Sequence, residues 1–277
     1  MLSEKQDYSS TNPLLIQATL KAIERRKAEE RRDPVLLARR AGIEPDAWQA
    51  GVLRSTERQV ALLCSRQAGK STVTSLLALH EALHRAGALV LLLSPSLRQS
   101  QELFLKVKGA YAALSGEQIH AREESALRMH FSNDARIVAL PGSKEATIRG
   151  FSGVDLLVID EASRVSDELY QAVRPMLAVS GGRIVLLTTP FGKRGFFHHE
   201  WEEGGRDWHR TKITAYDCPR ISREWLEVER KAIGDWWFRQ EHLCEFVESI
   251  DSVFLYDDIQ RALDADVQPL FGAYSPK

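Results

Sequence analysis

Residues 64–72 read CSRQAGKST. Gly69, Lys70 and Ser71 fit the end of the phosphate-binding pattern G-x-x-x-x-G-K-[ST], but Cys64 stands where its first glycine belongs. Such a loop needs backbone N–H groups turned into a concavity, a helix N-terminus behind them, and a cation. Gly69 permits close approach of a phosphate to the backbone. Lys70 can reach β- and γ-phosphates, and the Ser71 hydroxyl can ligate Mg²⁺. The first glycine supplies turn geometry, which other residues can supply in a slightly different turn. Cys64 therefore weakens the match without breaking it. Ser65, Arg66, Gln67, Ala68 and Thr72 complete the candidate nucleotide-binding segment.

A second stretch, LLVIDEAS (156–163), ends an apolar run with two adjacent carboxylates. At a strand end, neighbouring carboxylates can take different tasks. Asp160 can hold Mg²⁺ through water, while Glu161 can orient and deprotonate an attacking water. An ordinary Asp-Glu pair opening a loop would look the same alone. A phosphate loop about 90 residues upstream makes ATP hydrolysis the better reading.

Further positions have two readings each. Gln49, in PDAWQAGVL (45–53), could pair with the edge of adenine or lie on the surface. Thr188 and Thr189 follow a strand and could sense a γ-phosphate, or form a simple turn before Pro190. Arg66 could act on the γ-phosphate from within the same chain. Arg149 could serve as an arginine finger for a neighbouring subunit's ATP. Either arginine could instead be a structural salt-bridge partner. His198, His199, Glu200 and His209 offer metal-ligating atoms, but adjacent histidines point apart and no third ligand has suitable spacing.

These groups need a scaffold. VALLC (60–64), ALVLLLSPS (88–96), VDLLVID (154–160) and GRIVLLTTP (182–190) read as buried strands. Residues 71–85 and 97–114 carry helical apolar spacing, with Leu76, Leu79, Leu83, Leu103, Phe104, Val107 and Tyr111 as inward candidates. ALRMHFSN (126–133) and ARIVALPG (135–142) read as a hairpin, and residues 167–177 as a helix disturbed by Pro175. Apolar strands alternating with helices predict an α/β fold with a mainly parallel sheet covered on both faces. Ligands of such sheets bind at the carboxyl ends of the strands, where CSRQAGKST, DEAS and TTP all fall. Residues 13–40 predict a charged helical arm, either solvated or a docking arm. Residues 191–247 hold no long buried strand and read as a small, mostly helical appendage.

Composition narrows the class. The chain has 277 residues, 44% hydrophobic, with 37 Lys and Arg against 38 Asp and Glu. That is room for one large domain with a small appendage, and the balanced charge neither predicts nor excludes a nucleic-acid partner. Cys64, Cys218 and Cys244 lie far apart without metal spacing, which points to a reducing cytoplasm. The N-terminus lacks a signal-peptide pattern, and no apolar run is long enough to span a membrane.

Together these motifs resemble the large terminase subunits, the DNA-packaging motors of tailed phages and prophages. SRQAGKST resembles the family's own deviant phosphate loop, PDAWQ its adenine-reading segment, and IRGFSGVDLLVIDEAS its approach to the carboxylate pair. LLTTP resembles its coupling motif and FRQEHLCEF (238–246) the end of its lid. The resemblance spans roughly residues 40–250. It implies an ASCE-type P-loop NTPase fold with a helical arm (1–40), an ATPase core (41–190), a lid (191–247) and a linker (248–277) toward a nuclease domain. It implies Mg²⁺-dependent ATP hydrolysis that drives double-stranded DNA into a procapsid in the host cytoplasm. Its partners would be a portal protein, a small terminase subunit and further copies in a ring. Thr188 and Thr189 would couple hydrolysis to movement. Asp257, Asp258, Asp264 and Asp266 have no following fold to hold them, so nuclease activity is not expected of this chain. A helicase-like translocase and a nucleotide-dependent assembly switch are the competing readings.

Overall fold

The computed structural model describes residues 13–114, 119–142 and 150–248. Arg149, the four aspartates of the tail and almost all of the expected linker lie outside the described residues.

The charged arm forms α1 (Pro13–Arg32) and α2 (Pro34–Arg40). Asp33 separates them, because its side chain accepts from the Val35 amide and Pro34 fits only a first turn. Asp33 also pairs at 2.8 Å with Arg54, the last residue of α3 (Ala47–Arg54), so the cap ties the arm to the segment carrying Gln49.

An eight-stranded sheet forms the centre. In chain order its strands are β1 (Gln59–Cys64), β2 (Leu89–Ser94), β3 (Ala121–Glu124), β4 (Arg128–Phe131), β5 (Arg136–Pro141), β6 (Leu156–Asp160), β7 (Arg183–Thr188) and β8 (Trp208–Ile213). Their spatial order is β3-β4-β5-β2-β6-β7-β1-β8. From β5 to β8 every pairing is parallel, and β3 and β4 add an antiparallel edge. The 126–142 hairpin forms as β4–β5, and short β3 extends it.

Strand alternation splits the interior into two cores. Val60, Leu62 and Cys64 face α4 (Lys70–His84) and α5 (Leu97–Ala113), where Leu76, Leu79, Leu103 and Phe104 are buried. Ala61 and Leu63 face the opposite side, with Leu169 of α6 (Asp167–Val173) and Phe197 of α7 (Gly195–Glu202). With both faces covered, the central strands can be continuously apolar, which is why they were readable.

The region after Pro190 differs from the expectation. It contains α7, α8 (Arg223–Ile233) and α9 (Asp235–Glu241), but also β8, which joins the main sheet beside β1. WHRTKI hides this strand because only its two end residues are buried. It is an edge strand with one neighbour, so it needs no apolar run.

One glycine controls how β6 and β7 enter the sheet. A Cβ on Gly182 would lie 2.1 Å from the Val154 carbonyl oxygen and 2.9 Å from that of Asp155. Both obstacles are backbone and cannot rotate away. Gly182→Ala should therefore cost roughly 3 kcal/mol, lowering the melting temperature by roughly 5–10 °C. An unchanged melting curve would show that the two strands can separate there without loss.

Candidate functional site

The carboxyl ends of β1, β6 and β7 lie side by side. Leu63 pairs with Thr188 across β1 and β7, and Asp160 pairs with Leu187 across β6 and β7. The phosphate loop, the carboxylate pair and the threonines thus meet at one end of the sheet.

The loop solves its missing glycine locally. Cys64 remains the last extended residue of β1, its side chain fully buried. Burial holds its thiol protonated, well above the ordinary range. The turn is made later: Gln67 adopts φ 60° and Gly69 φ 94°, after which α4 begins at Lys70. Gln67 thus carries curvature that a first glycine would otherwise supply. Ser65 is anchored to the edge strand, its amide donating to the Ile213 carbonyl at 2.8 Å.

Loop residues 66–72 form one wall of a cleft of about 440 Å³. Gln99 and Lys106 of α5, together with Glu161 and Arg164, complete it. Lys70 lies 3.7 Å from a Glu161 carboxylate oxygen and donates to the Cys64 carbonyl at 3.3 Å. Ser71 and Thr72 line the same cleft at the start of α4.

Asp160 and Glu161 have different surroundings. Asp160 is buried and accepts the Glu161 amide at 3.0 Å. Burial, then the charge of Glu161, pushes its carboxyl up from 3.8 to about 6 against the pull of Lys70. Glu161 lies in the left-handed backbone region at φ 52°, which turns its side chain away from the strand direction into the cleft. One oxygen accepts from Arg164 at 3.1 Å and from the Thr189 hydroxyl at 3.4 Å. Thr188 accepts from the Ser163 amide at 3.2 Å and donates to the Thr189 carbonyl at 2.7 Å. Both threonines therefore touch the segment that follows the carboxylates.

Gln49 approaches the loop from α3. Its oxygen accepts from the Asp46 amide at 2.9 Å, and its amide nitrogen lies 3.5 Å from the Gly69 carbonyl. A Cβ on Gly69 would sit 2.5 Å from that nitrogen. Gln49 is thus a buried brace against the loop rather than a surface glutamine.

Arg66 does not reach into the cleft alone. Its guanidinium forms an ion pair with Glu241 at the end of α9, and its amide donates to the Glu241 carbonyl at 3.3 Å. Glu241 also lies 3.9 Å from Arg164, whose guanidinium covers the Phe191 ring at 4.6 Å. On the other side, Arg220 pairs with Asp46 at 2.8 Å and donates to the Ala68 carbonyl at 3.1 Å. Sequence reasoning missed Arg164, Arg220 and Glu241. Glu241 lies within FRQEHLCEF, but its partner Arg66 is 175 residues away. Glu200 is committed elsewhere: Tyr170, Arg174 and Trp208 all donate to its carboxylate.

The raised Asp160 carboxyl has a measurable cost. Its folded value lies above the ordinary 3.8, so ionising it costs stability that is lost as pH rises from about 4 through about 6. In metal-free protein at pH 7.5, Asp160→Asn should be more stable by about 1–3 kcal/mol, a difference that vanishes below about pH 4. Denaturant melts at both pH values measure this. Equal or lower stability of the variant at pH 7.5 would refute the desolvation account.

Comparison with known proteins fits this geometry. The family model described as "Terminase large subunit, T4likevirus-type, N-terminal" matches residues 61–261. The large terminase subunit of Thermus phage G20c is 26% identical over 249 residues, covering 77% of this chain and 51% of that protein. The chain thus spans about half the length of the curated relatives it matches. Among solved structures, the large terminase ATPase domain of Thermus phage P74-26 superposes with a TM-score of 0.66 at 22% identity, covering 76% of this chain and 97% of that one. The large terminase of another thermophilic bacteriophage, solved in complex with ADP, superposes with a TM-score of 0.58 at 12% identity, covering 69% and 48%. By the family match over most of its length, the chain belongs to the T4likevirus-type large terminase subunits.

Proposed function

We propose that this chain is the ATP-hydrolysing part of a large terminase subunit, a motor that drives double-stranded DNA into a procapsid. The observation that carries this reading is Glu161, whose carboxylate faces Lys70 of the phosphate loop while held by Arg164 and Thr189. One structural relative, the large terminase of a thermophilic bacteriophage, was solved with ADP, in keeping with a nucleotide as the ligand here.

The residues present suit Mg²⁺. Ser71 and Asp160 offer hard oxygen donors, and Asp160 is a buried acid beside a second acid, short of positive charge. Ser71 and Asp160 would hold the ion, which supplies charge neutralisation to the β- and γ-phosphates. Residues 65–72 would cradle the phosphates, with Lys70 on the β- and γ-oxygens. Glu161 takes a proton from water as the water oxygen bonds to the γ-phosphorus. The bond from that phosphorus to the β,γ-bridging oxygen breaks, leaving ADP and phosphate. Gln49 braces Gly69 at the purine end. Arg66 can serve the γ-phosphate only after exchanging Glu241 for it. Thr188 and Thr189, bonded to Ser163 and Glu161, would pass loss of the γ-phosphate to the rest of the chain.

The wider assignment follows the family: a ring of copies on a portal, with a small terminase subunit, in the cytoplasm of a bacterial host. In that ring Arg149 would stabilise a neighbour's transition state. No nuclease step is assigned to this chain. No helix among the described residues is long and apolar enough to cross a membrane.

Steady-state hydrolysis of ATP, with and without double-stranded DNA, tests the activity. Glu161→Gln should lower turnover by roughly 10²–10⁴-fold while nucleotide binding survives. Normal turnover in that variant would remove Glu161 from the role of base. Stimulation by duplex DNA favours the motor. Strand separation would favour a helicase-like translocase, and nucleotide-dependent partner binding without turnover an assembly switch.

Arg149 makes a separate prediction. If it acts in trans, Arg149→Ala should bind ATP normally and lose turnover, and mixing it with wild type should depress activity more steeply than its mole fraction. A linear dilution curve would argue for action within one chain.

A further inference from the structure

Four cations line the cleft: Arg66, Lys70, Lys106 and Arg164. Three already face carboxylates. Arg66 is paired with Glu241, Lys70 lies 3.7 Å from Glu161, and Arg164 holds Glu161 at 3.1 Å. No carboxylate among the described residues lies within ion-pairing distance of Lys106.

Lys106 has a neighbour of matching chemistry. Gln99 lies seven positions earlier on α5, two helical turns away, so both residues share one face of the helix. The Ser96 hydroxyl donates to the Gln99 side-chain oxygen at 2.8 Å, which fixes the amide's orientation. The Gln99 NH₂ group makes no hydrogen bond among the described residues. This face of α5 therefore offers the cleft a charged donor and a neutral donor, while the Gln99 oxygen is engaged by Ser96. Such a wall suits a ligand that only accepts, and phosphate oxygens do so. Leu103, Phe104 and Val107 are buried in the core and fix the helix beneath it.

We propose that Lys106, aided by Gln99, is a further phosphate-binding residue that contacts the outermost phosphate of the bound nucleotide. The inference rests on the ATPase reading of the same cleft. The loop wall supplies the backbone amides and Lys70, which serve the inner phosphates and the bridge. The α5 wall completes the cleft together with Glu161, the base assigned to the attacking water. A γ-phosphate standing between Lys70 and that water would turn free oxygens toward the donors on the α5 wall, Lys106 and Gln99. Lys106 would then favour the triphosphate over the diphosphate.

Equilibrium binding of ADP and of a non-hydrolysable ATP analogue, measured on wild type, Lys106→Gln and Lys106→Arg, tests this. Lys106→Gln should weaken the ATP analogue by roughly tenfold or more while ADP shifts less than about twofold. Lys106→Arg should recover most of the loss. Lys106 is exposed, so the substitution carries little folding risk. Equal weakening of both nucleotides would move the contact to the inner phosphates and overturn the proposal, as would no change in either. Lys70→Ala separates the two levels of argument. If wild type binds nucleotide and Lys70→Ala does not, the cleft is the nucleotide site whatever Lys106 does. If wild type binds neither nucleotide, the ATPase reading falls and this proposal with it.

Discussion

The whole site depends on the register of one strand. β7 lies between β1 and β6, and its pairing sets Thr188 beside Leu63 and Leu187 beside Asp160. Slipping β7 by one residue would turn its side chains to the opposite faces and exchange what it offers to the two cores. Both cores resist that slip, since Val185 and Leu187 belong to one and Ile184 and Leu186 to the other. The hydrophobic packing therefore fixes the register, and the register fixes the distances between loop, carboxylates and threonines. Gly182 protects the start of the same strand, where the backbone of residues 154 and 155 leaves no room for a side chain.

Charge distribution is the second constraint. The sheet end buries Asp160 and places Glu161 next to it, an arrangement that disfavours the ionised form of Asp160. The loop and the neighbouring elements bring an excess of positive side chains to the same cleft, some held by Glu161 and Glu241. On the proposed ATPase reading, a metal–triphosphate complex would supply what both halves lack, a cation for Asp160 and acceptor oxygens for the donors. The same excess of positive charge is met in part by Glu241. Glu241 partners Arg66 and Arg164, and it comes from the last turn of α9, far along the chain from the loop it contacts.

Much of this was legible in the sequence, for a physical reason. VALLC, LLVID and RIVLLTT are continuous apolar runs because helices cover both faces of their strands, and each run ends where the candidate functional residues begin. The loop was legible as a candidate because its pattern, Gly69, Lys70 and Ser71 at a helix start, lies in adjacent residues. β8 was not, since an edge strand buries only two of its six residues. Arg164, Arg220 and Glu241 were not, because their meaning comes from partners distant in sequence. Arg220 is one arginine among many until it lies 2.8 Å from Asp46 and 3.1 Å from the Ala68 carbonyl. Gln49 was half legible. Its segment suggested a candidate purine-reading element, while its bracing of Gly69 needed the folded chain.

The departure at Cys64 follows from the same separation of tasks. A phosphate loop requires a curved backbone more than it requires glycine at one fixed place. Here β1 keeps its extended geometry through Cys64, whose thiol fills the core beside Val60 and Leu62 where a glycine would leave a gap. The curvature moves to Gln67 and Gly69. Gln67 bears a side chain in a backbone region that glycine occupies more cheaply, a cost of order 1 kcal/mol. Contacts on both sides of the turn hold it: the Ser65 amide on Ile213, the Arg66 amide on Glu241, and Arg220 on the Ala68 carbonyl. All three partners lie beyond residue 212: Ile213 ends β8 in the main sheet, while Arg220 and Glu241 come from the segment after it. Under the proposed reading of residues 191–247 as a lid, any shift of Arg220 or Glu241 would be felt directly in the loop backbone at Ala68 and Arg66.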